Sequence, residues 1–532
     1  MPDVRFTVLL KDTWVRRIPP KILGRLDSDL VIHDGAQLKE DMWRNRPDLI
    51  FFSTANPEVF RCRLLRKALQ LNIPTLAVEE VNQLANNDGV INHYFLPVDR
   101  LGVASEVEAR QFRALGYLPD QIAVTGWPFY SANKKQKLDL KIALTRKNVG
   151  LKGSKRIGLL ILSFSKERGL ESLETIRIRR RMLALLRQGL PQDVQLLVKS
   201  HPVDKQRDVK KIVQSEIAEA VVLDEQVPIE DALEICDFVI SRGNSQVMFE
   251  AMFRGIPLVI VPMNIRTLFD RELPELVANT PDALRYICQH VITHPIDYGP
   301  IINLHAPLSP ESSLEKVAGL VRVMLDGSLQ VPRWFKMLDL CLQMKFIGMD
   351  EEAHEDLKRL ESFEDTPVEY RQTINSIHHL FRREADVKIV SNLLESFRGN
   401  LIRQWHVQAL WIRQLYQRRR DVSMVGAGIP LTRSFIGAVN PHYFIQELLM
   451  RMDLEFIAGD QEIAEQLRSW FQEDFYFLWD FQRRDINLSL WQDHYINLQS
   501  LKHFLYTVYR SGRKKISRFY LNGRNLILKK KH

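Results

Sequence analysis

The pattern of hydrophobic and polar positions changes character twice along the chain. Up to about residue 130, short apolar runs at 5–10, 29–32, 49–52, 75–78 and 122–124 alternate with longer stretches. The runs are rich in β-branched and bulky residues, as strands covered on both faces must be. Between them, 57–71 and 105–115 repeat apolar residues at helical spacing. Strands alternating with helices predict a parallel sheet with helices on both sides. Residues 131–155 interrupt the rhythm with many lysines and two glycines, Gly150 and Gly153, and read as a linker. A second alternation follows, with strands expected at 157–162, 194–198, 221–223, 238–241 and 258–261 and a closing amphipathic helix at 312–325.

Beyond about Val331 the pattern changes again. Glycine and proline thin out, strand-like runs vanish, and six of the nine tryptophans appear, Trp334 and Trp411 among them. Segments 392–416 and 444–456 carry helical periodicity. The expected architecture is therefore α/β, with two Rossmann-like parallel-sheet lobes (1–130 and 156–330), an all-helical domain (331–509) and a basic tail (510–532). A chain of 532 residues suits this division. No fixed-period repeat marks the helical part as a solenoid, and its tryptophans suit core positions because they bury large areas.

Charge alters this picture only at the end. The net charge of +9 comes from nine Lys or Arg between Arg510 and His532, where there is no acid; the rest balances at 65 against 65. Basicity is thus a property of the tail, and it argues against a nucleic-acid-binding surface. Interleaved with Phe519, Tyr520 and Leu526, the tail charges suit an anionic membrane surface; a solvated terminus is the other reading. Nothing approaches the ~18 apolar residues of a membrane span, and the opening apolar run is too short for a signal peptide. The cysteines Cys62, Cys236, Cys288 and Cys341 are widely spaced, without a CxxC or metal-ligand pattern. These features lead to the expectation of a cytoplasmic protein, peripheral at the inner face of the membrane if the tail binds there.

Two open sheets in tandem bind ligands at the carboxyl ends of their strands, and three segments fall there. The first, Leu196-Leu-Val-Lys199-Ser-His201-Pro202, delivers Lys199 and His201 to the end of a buried strand, which Pro202 terminates. Both side chains offer donors to a phosphate oxygen. A structural cap is the other reading and on placement alone comes first; His-Pro pairs are cheap, since 14 His and 24 Pro give roughly 0.6 by chance, and His294-Pro295 is a second. The second segment runs from Asp237 through Ser241, Gly243, Asn244, Ser245 and Glu250 to Gly255 and Pro257: strand, tight loop, helix, glycine stop, new strand. Asn244 or Ser245 can cap the helix, whose start suits a phosphate, and Glu250 can accept from ribose hydroxyls. A routine strand–helix turn with polar caps is the alternative. The third is Thr125-Gly126-Trp-Pro128, where a glycine after a strand lets the chain lie close against a ligand.

In order and spacing, these segments resemble a known family. Residues 96–106 and 115–128 are similar to the end of the N-terminal lobe in GT-B glycosyltransferases of surface-polysaccharide synthesis. Lys199-Ser-His-Pro resembles the His-Pro motif of bacterial sialyl-, Kdo- and CDP-glycerol-type transferases. Ser241 to Pro257 resembles their serine motif and the nucleotide helix shared with UDP-GlcNAc 2-epimerases. The resemblance covers about residues 1–330. It implies that His201 and Ser245 hold donor phosphates and Glu250 the ribose. It also implies a nucleotide-activated donor as substrate (CMP or CDP type ahead of UDP), a glycan or lipid-linked acceptor, and no cofactor or metal. The sequence departs from relatives in three places. It has no His-Gly motif in the first lobe, no Gly-Thr-Arg-Pro-Glu opening, and Leu258 where many retaining enzymes carry a second glutamate.

The reaction implied is transfer of a glycosyl or polyol-phosphate group. Lys199, His201 and the helix start at Ser245 would stabilise charge on the leaving phosphate, with no need for an Asp-x-Asp metal site. The acceptor's general base is expected from the first lobe. Glu80, with Glu79 beside it, follows the strand 75–78 and resembles acidic pairs of polysialyltransferases; a solvated carboxylate pair is the other reading. Rival functions are a sugar-nucleotide epimerase and a non-catalytic binding or scaffold protein. Occupied motif positions His201, Ser245 and Glu250 count against the latter.

Overall fold

The computed structural model describes residues 6–10, 30–34, 46–52, 59–79, 96–128, 151, 155–162, 172–200, 206–224, 227–243, 245–263, 268–294, 296–326 and 331–418. The first sheet comprises β1 (Phe6–Leu10), β2 (Leu30–Asp34), β3 (Leu49–Phe52), β4 (Thr75–Val78), β5 (Arg100–Val103) and β6 (Ile122–Val124). Their order is β2-β1-β3-β4-β5-β6, with every pairing parallel. Helix α1 (Val59–Leu71) links β3 to β4, and α2 (Glu106–Leu115) lies between β5 and β6. Ser105 Oγ caps α2 by accepting the Glu108 N–H at 3.3 Å, while Glu108 Oε2 takes the Ala104 N–H at 2.7 Å. Gly116 ends the helix at φ 117°.

Strand β5 carries no periodic signal, and Gly102 shows why. A Cβ there would stand 2.7 Å from Thr125 Oγ1 and 3.1 Å from Val78 Cγ2. The strands on either side leave space for a hydrogen only, so packing overrides the poor strand propensity of glycine.

The second sheet contains β7 (Arg156–Ile161), β8 (Val194–Lys199), β9 (Val221–Val222), β10 (Phe238–Ser241) and β11 (Leu258–Ile260), ordered β11-β10-β7-β8-β9 and again parallel. Chain order leaves β7 toward β8 on one side and resumes from β10 on the other, so the topological switch lies between β7 and β10. Helices α3 (Ser172–Gly189), α4 (Gln206–Glu216), α5 (Ile229–Ile235) and α6 (Val247–Phe253) connect these strands. Helices α7 (Leu268–Glu272), α8 (Pro281–Thr293), α9 (Gly299–His305) and α10 (Pro310–Leu325) complete the unit. Almost all of the linker expected at 131–155 lies outside the described residues.

Among the described residues five helices follow: α11 (Arg333–Phe346), α12 (Asp350–Glu361), α13 (Val368–Phe381), α14 (Val387–Ser396) and α15 (Leu401–Arg418). The helical run expected at 392–416 is divided. Gly399 turns at φ 83°, and Asn400 Oδ1 caps the new helix through the Arg403 N–H at 3.0 Å. The segment 444–456, Trp470, Trp479, Trp491 and the basic tail lie outside the described residues.

The helical module docks on the first unit. Arg66 of α1 makes a two-pronged bond to Asp356 of α12, at 2.6 and 2.9 Å, and the Asp356 side chain is fully buried. Arg63 meets Glu352 at 2.9 Å. Asn400 Nδ2 donates to the Gly116 carbonyl at 3.3 Å. Among the described residues, no helix is long and apolar enough to cross a membrane.

Candidate functional site

The carboxyl ends of β8 and β10 flank β7 in the second sheet. Lys199, the last residue of β8, is 6% exposed and donates from Nζ to the Asp224 carbonyl, just beyond β9, at 3.2 Å. Its ammonium thus ties the ends of β8 and β9 together at this edge. The ladder runs through this point, with the Leu162 N–H donating to the Lys199 carbonyl at 3.0 Å. Ser200 follows at 2% exposure. His201 and Pro202 lie outside the described residues.

At the neighbouring edge, β10 ends at Ser241, whose hydroxyl accepts the Gly243 N–H at 3.2 Å. Gly243 adopts φ 86°, which only glycine tolerates readily, so the chain turns within three residues of the strand. Asn244 lies outside the described residues. Ser245 Oγ accepts the Val247 N–H at 3.3 Å, and the Ser245 carbonyl accepts the Met248 N–H at 3.1 Å. Glu250 sits within α6 and is 4% exposed. At the opposite end of the strand, Asp237 Oδ2 accepts the Ile157 N–H at 2.6 Å and pins β10 to β7. Lys199 thus ends β8 and Ser245 lies between β10 and α6, β8 and β10 being the two strands that flank β7, with Glu250 one turn into the helix.

Gly126 has a packing explanation. It sits at φ 76°, and a Cβ there would lie 2.1 Å from Ser313 Oγ and 2.8 Å from Leu308 Cβ. The space beside it is filled by α10 and the residues before it, so the glycine serves the close approach of the two units.

Glu79 is 3% exposed and extends β4, its N–H donating to the Gly102 carbonyl at 3.1 Å. Burial holds the neighbouring Tyr117 phenol well above its ordinary value, and the charges of Asp339 and Glu79 add to this. Glu79 therefore shares an electrostatic neighbourhood with α11 of the helical module. Glu80 lies outside the described residues. The cysteines are free thiols, and burial pushes Cys288 up to about 12.

Ser200 carries no sequence signal beyond its place between Lys199 and His201. Asp224 likewise has none, because a backbone carbonyl recruits Lys199 whatever the side chain.

No protein-family model matches the chain, and no curated protein matches it by sequence. Solved structures are similar in chain path. The wall teichoic acid polymerase TagF aligns at 12% identity and a TM-score of 0.42, over 62% of this chain and 90% of that one. Anabaena HepE, in complex with UDP and glucose, aligns at 13% identity and a TM-score of 0.41, over 60% and 99%. Staphylococcus aureus MnaA, solved with UDP, aligns at 11% identity and a TM-score of 0.43, over 61% and 97%. At this level the likeness carries no argument about activity.

Proposed function

We propose that this chain is a GT-B-type transferase that moves a glycosyl or polyol-phosphate group from a nucleotide-activated donor to a glycan or lipid-linked acceptor. The observation that supports this reading is the placement of Lys199 at the end of β8 and of Ser245 between β10 and α6, at the carboxyl edge of the second sheet beside its topological switch. Open parallel sheets bind nucleotides at that edge. In the proposed site His201 and Ser245 hold the donor phosphates, with Lys199 supplying positive potential. These groups stabilise charge on the departing phosphate, without recourse to a metal. Glu250 accepts from the ribose hydroxyls. Glu80, which follows the strand at 75–78 in the sequence, is the proposed base. The nucleotide is of the CMP or CDP type ahead of UDP.

The acceptor side of the proposal belongs to the first unit and to the helices docked on it. The tail from Arg510 onward would hold the enzyme at an anionic inner-membrane surface, each basic residue there being worth about 1 kcal/mol. Co-sedimentation of the full chain and of residues 1–509 with anionic vesicles tests this: equal binding removes the tail from the scheme.

Thermal shift against CMP, CDP, UDP and GDP tests the site itself. A nucleotide present at 100 times its dissociation constant stabilises the folded chain by about 2.7 kcal/mol. His201→Ala and Ser245→Ala are each expected to weaken that shift. Parent-like binding by both variants places the donor elsewhere and removes the main support for a transferase.

A further inference from the structure

Among the described residues, three serines stand at the carboxyl edge where the switch opens: Ser200 after β8, Ser241 at the end of β10 and Ser245 before α6. Two of the hydroxyls are engaged locally, Ser241 with the Gly243 N–H and Ser245 with the Val247 N–H. The third differs. Ser200 is 2% exposed, its Oγ is closed off from solvent, and it has no hydrogen-bond partner among the described residues.

A buried hydroxyl without a partner is unfavourable, and native interiors rarely keep one without a reason. Helix interiors often relieve a serine by bonding it to a carbonyl one turn back, but Ser200 follows a strand and lacks that option. Its neighbour Lys199 uses its whole length to reach the Asp224 carbonyl. Alternation along the extended chain sends the Ser200 side chain off the opposite face. The hydroxyl therefore stands on the other face from the Lys199 ammonium, at a sheet edge where ligands bind, with a donor to spare. Such a donor suits an acceptor-only anionic oxygen, and the bond gains strength away from water.

We propose that Ser200 is a ligand of the donor's phosphate, giving its hydroxyl proton in a hydrogen bond to a phosphate oxygen. This rests on the reading that the second sheet binds a nucleotide, and it adds a residue to that site. Among the described residues nothing satisfies the hydroxyl and the nucleotide does, so affinity depends on Ser200 more steeply than on an exposed serine.

The test uses the full chain, isothermal titration and thermal melting with CMP, CDP, UDP and GDP. Ser200→Ala is expected to melt without nucleotide at or above the parent temperature, because it removes an unsatisfied polar group. Its dissociation constant for the nucleotide that the parent binds is expected to rise by about tenfold or more. A merely structural serine moves the melting temperature and leaves the affinity alone, so parent-like affinity in Ser200→Ala overturns the proposal. Should the alanine variant fail to fold, Ser200→Cys retains most of the volume but only a weak donor. It is read by the same criterion. A parent that binds none of the four nucleotides is a separate failure, which defeats the nucleotide reading and this inference with it.

Discussion

The Lys336 ammonium of α11 bonds directly to the Asp99 carboxylate, with the Asp99 side chain fully buried and the lysine side chain 7% exposed. The carboxylate is saturated: Oδ2 accepts the Thr75 N–H at 2.9 Å and the Thr75 hydroxyl at 2.8 Å, and Oδ1 also takes the Val331 N–H at 3.3 Å. One buried charge thus ties the starts of β4 and β5 to the start of the helical module. Buried pairs often add little net stability, since desolvation cancels the attraction, but breaking one leaves an uncompensated charge. Lys336→Met is therefore expected to cost about 3–5 kcal/mol by urea unfolding. Adding Asp99→Asn to that variant should recover a substantial part, because the remaining amide is neutral. A cost under about 1 kcal/mol for Lys336→Met would show that the pair does not hold the module.

The contact between Gly126 and α10 makes a graded prediction. Gly126 and Gly255 both adopt positive φ, 76° and 66°, so alanine strains the backbone at each by about 1–2 kcal/mol. Nothing stands within 4 Å of a Cβ at Gly255, whereas at Gly126 the Ser313 hydroxyl and Leu308 are in the way. Gly126→Ala is expected to exceed Gly255→Ala by a further ~1–3 kcal/mol of overpacking. Ser313→Ala should relieve part of the excess. Equal costs for the two glycines, measured side by side, would mean that α10 yields without strain.

Much of the fold was legible because its strands are covered on both faces and run apolar. Leu49–Phe52 and Thr75–Val78 are buried at every position, and no turn residue interrupts them. Strand β5 was illegible because its glycine answers to Thr125 and Val78, which are distant in sequence. The docking seam was illegible for a related reason. Arg66, Asp356 and Lys336 look like ordinary charges on amphipathic helices, and only tertiary packing decides which of them are buried. At the candidate site the pattern marked the junctions after β8 and β10 through Lys199 and Ser245. It had no means of marking Ser200, whose hydroxyl stands out by having no partner among the described residues.

The seam also predicts an acid dependence. The Arg66 guanidinium, by its hydrogen bond first and its charge second, holds the Glu355 carboxyl below its ordinary value of 4.5. A group whose pKa is lowered in the folded state contributes stability above its unfolded value and loses it as pH falls through the folded value. The contribution is small, because Glu355 is exposed and solvent screens the pair. Melting temperature is expected to fall as pH drops below about 4.5, and Glu355→Gln should show a shallower slope there. Indistinguishable slopes would mean that Arg66 and Glu355 are uncoupled in solution.

The general base gives the most discriminating test of the proposed chemistry. A base must reach the acceptor hydroxyl directly or through one water. Glu79 is poorly suited to that task, being 3% exposed, bound into the sheet by its N–H and set near Tyr117 and Asp339. Its burial beside the helical module suits a structural carboxylate, which leaves Glu80 as the proposed base. Glu80→Gln is expected to lower turnover of the identified donor by about 10²–10⁴ while nucleotide affinity stays at the parent level. Glu79→Gln should act differently, shifting the melting temperature with a milder effect on turnover. The measurement is single-turnover donor consumption at saturating nucleotide-activated donor, with affinity determined in parallel. Near-parent turnover in both variants eliminates the pair. The next carboxylates to replace are then Asp34, the last residue of β2, and Asp12, two residues beyond β1.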